Sequence, residues 1–527
     1  MNRTIFPKPM KVKCSRSAEE ACGSMQRTLL AGRGGSGYDC LPEFIEKLKG
    51  KEPMSIFGRR WLPMVLAAAC VLLFAAPLSA SAEGYTQDTA GIYMVIGILV
   101  LTAVLFLTEA IPIEATAMLV PVLLVVLRIV PFQEAFSGFA DKWVLLFLFM
   151  FIIGDSLFQT GVASRIGSRI VRHASGKESS LVIHIMLVAG VMSAFLSNTG
   201  TAACLLPITV AISRSSGVPL RRLLIPMAFA TSLGGSLTVI GTPPNGIIQS
   251  TYEAMSGETF GFFEYSKVGI FVFVIGILFL STVGRKFISS RGKGEEIPSR
   301  KEPQPEETEE KASRGKAATA VLVFLLVIFF MGMSPVWKSI FPSLADYFAA
   351  VPLTVYAVAG VVVLLITGVM TAEKAFKAVD WRTIFLFAGM LSLKPALLNT
   401  GAADFIANGL IGVADSLHLN PNYAMLAMLV LASVVVTNFM SNTATAALLA
   451  PVAMEVGILL GCSPAPLLMG VALACSACFL TPVATPPNTL VLGPGRYSFM
   501  DYLKAGWLLQ LIVMVILILL VPVFFPF

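Results

Sequence analysis

Charge is scarce in this sequence: 13% of its 527 residues are Asp, Glu, Lys or Arg, against about one quarter in soluble domains. Histidine is scarcer still. The three histidines, His173, His184 and His418, are dispersed, and neither an HExxH nor an aspartate-rich motif accompanies them, so they form no catalytic constellation. The chain therefore reads as a non-enzyme. Eight cysteines are scattered, three of them in a polar N-terminal stretch (Cys14, Cys22, Cys40), which gives no disulfide framework. Cys475 and Cys478 have CxxC spacing, but they sit in an apolar segment without a nearby histidine and read as core packing. The 38 basic residues outnumber the 31 acidic ones only mildly and are spread over several loops, which argues against a nucleic-acid partner.

What fills the chain instead is apolar: 56% hydrophobic residues and a mean hydropathy of +0.81. A bilayer core is crossed by about 20 apolar residues, and such stretches recur from Trp61 to Phe527 as about eleven spans. The expected product is an all-α, multi-pass integral membrane protein surrounded by lipid. Its place is the plasma membrane, or the bacterial inner membrane if the chain is prokaryotic. Residues 1–60 read as a polar, disordered cytoplasmic tail. Their GxGxxG spacing (Gly32, Gly34, Gly37) has neither the strand nor the helix that a dinucleotide fingerprint needs. Residues 54–82 read either as a cleaved signal peptide or as a first transmembrane helix, and both readings put residue 83 outside.

Two apolar blocks have polar centres. In 181–212 the middle is Ser197-Asn198-Thr199-Gly200-Thr201, and in 423–458 it is Ser441-Asn442-Thr443-Ala444-Thr445. Such centres do not belong in lipid, so each block is expected to be a re-entrant hairpin with its tip at the midplane. After each comes a span broken at Gly241-Thr242-Pro243-Pro244-Asn245 or at Ala484-Thr485-Pro486-Pro487-Asn488, where paired prolines end a helix. The Ser-Asn-Thr copies are 244 residues apart (441 − 197) and the Pro-Pro-Asn copies 243 (486 − 243), which marks a duplication. The halves are 61–285 and 317–527, separated by a charged cytoplasmic linker, 286–316.

Loop charges orient the copies. Lys and Arg mark cytoplasmic loops, and the first hairpin is flanked by Arg165, Arg169, Arg172, Lys177, Arg214, Arg221 and Arg222. No Lys or Arg occurs from Pro395 to Gly495 around the second hairpin, whereas Lys374, Lys377 and Arg382 before it, with Arg496 and Lys504 after it, count as inside. The first hairpin should enter from the cytoplasm and the second from outside. Broken segments of opposite orientation point to a midplane transport site between inverted repeats.

The motifs carry amides, hydroxyls and freed backbone groups, which are ligands for anions and sodium rather than catalytic groups. Helix N-termini at a break suit carboxylates, and carbonyl and hydroxyl oxygens suit a hard cation. No Lys or Arg is expected at the site, so a dianion bound there needs cations beside it. Each ligand then raises the affinity for the other.

With Thr108-Glu109-Ala110-Ile111-Pro112, the stretches SNTGTAA, IGTPPN, SNTATAA and ATPPN resemble the divalent anion/sodium symporter family over residues 61–527. The resemblance implies an elevator mechanism, in which hairpins and broken helices move as one body against a homodimeric scaffold. It implies a first sodium site at Ser193, Ser197, Asn198 and the backbone of Gly241, and a second at Thr437, Asn442 and the backbone of Met440 and Ala484. Substrate carboxylates would meet Asn198, Thr199, Asn442 and Thr443, with Thr242, Pro243, Thr485 and Pro486 lining the pocket. The implied activity is symport of a C4-dicarboxylate such as succinate, malate or fumarate with Na+. Sodium-independent exchange and carriage of citrate or sulfate belong to the same architecture. An anion channel or a membrane-embedded enzyme is the alternative of another class.

Overall fold

The structure, a computed structural model, describes residues 89–172, 177–288, 314–332, 351–416 and 420–527. The expected tail, segment 54–82, most of the linker, His173 and His418 lie outside these residues. Among the described residues every regular element is helical.

The first half runs α1 (Thr89–Thr108), α2 (Ile113–Val126), α3 (Phe132–Ala135), α4 (Lys142–Gln159), α5 (Val162–Arg172), α6 (Glu178–Ser193), α7 (Asn198–Ser216), α8 (Arg221–Gly235), α9 (Pro243–Ser256) and α10 (Ser266–Thr282). The second half answers element by element. It runs α11 (Arg314–Gly332), α12 (Leu353–Ile366), α13 (Ala372–Ala378), α14 (Trp381–Met390), α15 (Leu393–Thr400), α16 (Ala402–Ser416), α17 (Pro421–Thr437), α18 (Asn442–Leu459), α19 (Ala465–Cys475), α20 (Pro486–Leu492) and α21 (Phe499–Phe524). The pair α14 and α15 stands where the first half has the single helix α4, so the corresponding span is divided in two.

Six helices among the described residues are long and apolar enough to cross a membrane, counting α14 and α15 as one. The outer faces of these helices, and of the shorter helix α10, suit a lipid surrounding. Leu511, Val515, Leu519 and Val523 recur every four residues along α21, and Ile270, Val274 and Leu278 do so along α10, all exposed. A continuous exposed apolar stripe of this kind is stable against acyl chains and costly against water.

Helix α21 serves as a ruler for the two hairpins, because its 26 residues span about 39 Å at ~1.5 Å per residue. At its start, Asp501 pairs with Arg221 at 2.9 Å. Arg221 opens α8, and its neighbour Arg222 pairs with Glu178, at the base of the first hairpin, at 2.7 Å. Just beyond the helix's far end, Phe527 packs on Tyr423 at the base of the second hairpin, ring centroids 5.4 Å apart. At its middle, Gln510 Oε1 accepts from Asn438 Nδ2 at 3.4 Å, and Asn438 lies in the second hairpin's tip. The two bases thus lie at opposite ends of one helix, with the second tip halfway along it.

Candidate functional site

Each hairpin tip is a helix N-terminus made by a serine. Ser197 and Ser441 adopt nearly the same extended conformation (φ −61°, ψ 138° and φ −63°, ψ 143°). Each side chain accepts from the backbone N–H three residues on, Gly200 at 3.1 Å and Ala444 at 3.2 Å. This is the N-cap geometry that Ser favours. The N–H groups of Asn198, Thr199, Asn442 and Thr443, on the first positions of α7 and α18, have no acceptor within their own helices.

The breaks are equally matched. Thr242 and Thr485 are extended N-caps before paired prolines. Proline is tolerated in a first turn, where no intrahelical N–H bond is lost. Behind them stand two fully buried asparagines. Asn245 Nδ2 donates to the carbonyls of Gly235 (3.2 Å) and Thr238 (2.8 Å), and Asn488 Nδ2 to those of Cys478 and Thr481 (both 3.1 Å). Tyr265 and Tyr502, also fully buried, donate to the carbonyls of Asn245 (3.0 Å) and Asn488 (2.6 Å). Tip and break are tied together as well: Thr238 Oγ1 donates to the Ala194 carbonyl, and Thr481 Oγ1 to that of Asn438 at 2.6 Å. These bonds join each hairpin tip to its broken helix.

The four pieces meet around one cavity of about 230 Å³. Ser197, Asn198 and Thr199 line it from one tip, Ser441, Asn442 and Thr443 from the other; Gly241, Thr242, Pro243, Ala484, Thr485 and Pro486 line it from the breaks. All eight expected substrate residues are therefore on one wall system. Ser193 and Thr437 are buried directly behind the asparagines: Ser193 Oγ donates to Asn198 Oδ1 at 2.5 Å, and Thr437 Oγ1 lies 2.7 Å from Asn442 Oδ1. Met440 is buried in its tip and is not among the residues on the cavity wall.

The expectation that no Lys or Arg stands at the site is corrected by the structure. Arg382, with Asp380 and Thr383, lines the same cavity from the start of α14. Its side chain is 82% exposed, and Glu114 is 3.6 Å away. Charge counting along the chain placed Arg382 in a cytoplasmic loop, and only packing brings that loop's end to the cavity mouth. Phe147, Met150, Phe151 and Phe195 supply the apolar wall and were likewise invisible as site residues. Ser441 was legible in principle as the repeat partner of Ser197.

Glycine at 235 has a specific use. A β-carbon there would lie 3.0 Å from Asn198 Oδ1 and 3.3 Å from the Gly241 carbonyl oxygen. The Asn198 amide nitrogen is also close, at 3.2 Å, and the Ser193 hydroxyl stands behind Asn198 Oδ1. The amide, hydroxyl and carbonyl oxygens gathered here are groups that suit a hard cation such as sodium.

The model of a family described as citrate transporter matches residues 103–461 and 422–527. The chain belongs to the citrate transporter family. Members of this family are membrane transporters, so the protein is a multi-pass membrane transporter and not an enzyme. Among similar chains is the uncharacterized transporter YfbS of Escherichia coli (strain K12), 25% identical, with 82% of this chain and 99% of that one aligned. Another is the sodium-dependent dicarboxylate transporter SdcS of Staphylococcus saprophyticus, 24% identical over 82% of this chain and 86% of its own. A solved structure with the same overall fold is the YdaH transporter of Alcanivorax borkumensis, with TM-score 0.53 and 14% identity, covering 90% of this chain and 98% of that one. A second is MtrF of Neisseria gonorrhoeae, with TM-score 0.54 and 13% identity, covering 88% and 97%. Both show the fold alone.

Proposed function

We propose that this citrate-transporter-family protein carries C4-dicarboxylates of the succinate, malate and fumarate type together with sodium, by an elevator motion. The observation that carries the reading is the single cavity onto which both hairpin tips open. The N-termini of α7, α9 and α18 are directed at it, and each such end carries roughly +0.5 elementary charge. Two carboxylates at the ends of a short chain match two separate clusters of N–H and hydroxyl donors, one per tip. The volume far exceeds the ~15 Å³ that one water needs, so a small organic anion fits with water around it.

Coupling to sodium follows from charge. A dianion in this site needs compensation beyond helix ends, and the oxygens of Ser193, Asn198 and Gly241 provide a cation seat directly behind the first tip. Thr437, Asn442 and the backbone of Met440 and Ala484 offer similar groups behind the second, with a thiol among them. SdcS, a sodium-dependent dicarboxylate transporter by name, is the relative that supports this choice. Rigid ties between each tip and its break support motion of hairpins and broken helices as one body, against a scaffold that pairs as a homodimer.

Uptake of labelled succinate, citrate and sulfate into vesicles containing the purified protein, with and without an inward sodium gradient, tests the proposal. Succinate uptake that rises with the gradient is expected. Succinate uptake that ignores sodium and requires internal dicarboxylate makes the protein an exchanger, and uptake of citrate or sulfate alone replaces the substrate. Thr199→Ala and Thr443→Ala should each weaken succinate binding about 10-fold, because hydrogen bonds to charged groups contribute ~1.5–3 kcal/mol. Expression should be intact, since both side chains face the cavity. Unchanged affinity in both variants removes the tips from the site.

A further inference from the structure

Around the breaks the two halves share Thr238 and Thr481, Thr242 and Thr485, and the paired prolines with their asparagine, and among the positions where they differ is 235 against 478. Asn245 holds the carbonyl of Gly235 and Asn488 holds that of Cys478, so these two residues are structural counterparts. Their numbers agree, 478 − 235 being the same 243 that separates the Pro-Pro-Asn copies. Where the first half has a glycine whose β-carbon would crowd Asn198 and Gly241, the second has a thiol.

That thiol is turned into the cluster. Cys478 is fully buried, and its Sγ lies 3.6 Å from Asn442 Nδ2 and 3.8 Å from Ser232 Oγ of the opposite half. In the first half, both ends of the Asn198 amide stand near the glycine's missing β-carbon, Oδ1 at 3.0 Å and Nδ2 at 3.2 Å, and no side chain occupies the position between them and the Gly241 carbonyl. In the second, the Asn442 amide meets the sulfur with its nitrogen, while its oxygen faces Thr437. The Thr437 hydroxyl is further engaged: it also lies 2.8 Å from the carbonyl oxygen of Cys475, so its single hydrogen is shared between two acceptors. Sulfur is a soft, weak ligand for a hard cation, and it is larger than the oxygen ligands around it.

We propose that Cys478 disables the second cation seat, leaving one sodium, behind the first tip, as the tightly bound coupling ion. The inference rests on the sodium reading of the first seat. It deepens that reading by assigning unequal roles to two clusters that the repeat makes look alike. A dianion then meets one sodium, three helix N-termini and Arg382, so the arginine at the cavity mouth supplies positive charge that a second sodium would otherwise bring.

The test is a sodium titration of thermal unfolding on the purified full-length protein, with choline replacing sodium at constant ionic strength. Ligand binding to the native state raises stability by RT ln(1 + L/Kd) per site, L being the free sodium concentration, so the slope of stability against ln L, in units of RT, counts the ions bound. At sodium well above half-saturation wild type should give a slope of about 1, and Cys478→Gly a steeper one approaching about 2. Cys478→Ala removes the sulfur but keeps the β-carbon, the group that Gly235→Ala would add to the first seat, so its slope should stay close to that of wild type. A slope near about 2 in wild type overturns the proposal even if neither variant folds. So does a wild-type slope in folded Cys478→Gly. Stability that ignores sodium in wild type is a different result, one that removes the first seat and the coupling built on it.

Discussion

Gly235→Ala is expected to abolish the sodium stimulation of uptake while leaving the protein folded. The added methyl would sit 3.0 Å from Asn198 Oδ1 and 3.3 Å from the Gly241 carbonyl oxygen, inside the space those oxygens face. Gly235 is not among the glycines with positive φ, so alanine can adopt its backbone without strain. The contact is with the end of one side chain and with one carbonyl, so a shift of a few tenths of an ångström relieves it. What the shift cannot restore is room for an ion touching Ser193, Asn198 and Gly241 at once. Half-saturation by sodium should rise at least about 100-fold, equivalent to ~2.7 kcal/mol. Sodium-dependent succinate uptake measures this, with Gly409→Ala as the control, since a β-carbon there meets nothing within 4 Å. An unaltered sodium response in folded Gly235→Ala places the ion elsewhere. Because Ser193 and Asn198 already face each other at 2.5 Å, the loss should be seen in sodium affinity before it is seen in substrate affinity.

The contrast between Gly235 and Cys478 also shows which parts of this site are legible in a sequence. Caps are local: a serine three residues before the N–H it accepts from is written in the chain, and both Ser-Asn-Thr tips fold as helix starts. Breaks are local too, because paired prolines stop one helix and begin the next at Pro243 and Pro486. Repetition converts these local signals into a paired site, since two copies 243 or 244 residues apart must occupy corresponding places.

What stays hidden is whatever depends on non-local packing. Arg382 belongs to a loop whose charge reads as a topology marker, and nothing near it in sequence says that α14 starts at the cavity. Phe147 and Met150 look like ordinary residues of an apolar helix. Cys478 reads as core packing by every local criterion, and it is buried, yet its sulfur touches Asn442, which lines the cavity. The clamp formed by Asn488 and Tyr502 is hidden for the same reason. An asparagine after two prolines suggests a ligand, whereas its Nδ2 is engaged in holding the broken backbone in place.

Gly506→Val should prevent accumulation of folded protein, the largest structural effect expected of any single change here. Gly506 lies in α21 where the helix crosses the second break, and a β-carbon on it would be 2.1 Å from the Phe479 carbonyl oxygen and 2.7 Å from its carbon. Neither partner can yield. Phe479 is fully buried against Phe229, ring centroids 5.0 Å apart, and its N–H donates to Gln510 one turn further along the same helix. Separating α21 from the break would strip Gln510 from both Phe479 and Asn438 and pull Tyr502 from Asn488, exposing several buried polar groups at once. Overpacking of an ordinary core site costs ~1–3 kcal/mol, and each buried group left unpaired adds roughly 1–3 more. Together these exceed the ~5–15 kcal/mol margin of a typical native state or come close to it. The measurement is the yield of monodisperse protein in detergent and its thermal unfolding. Leu511→Val carries the same β-branched side chain into the same helix at an exposed position and should behave as wild type. Gly506→Val recovered at full yield with an unchanged transition would mean that α21 does not seat the second break. The ruler that sets the two hairpins at opposite ends of the molecule would then lose its middle mark.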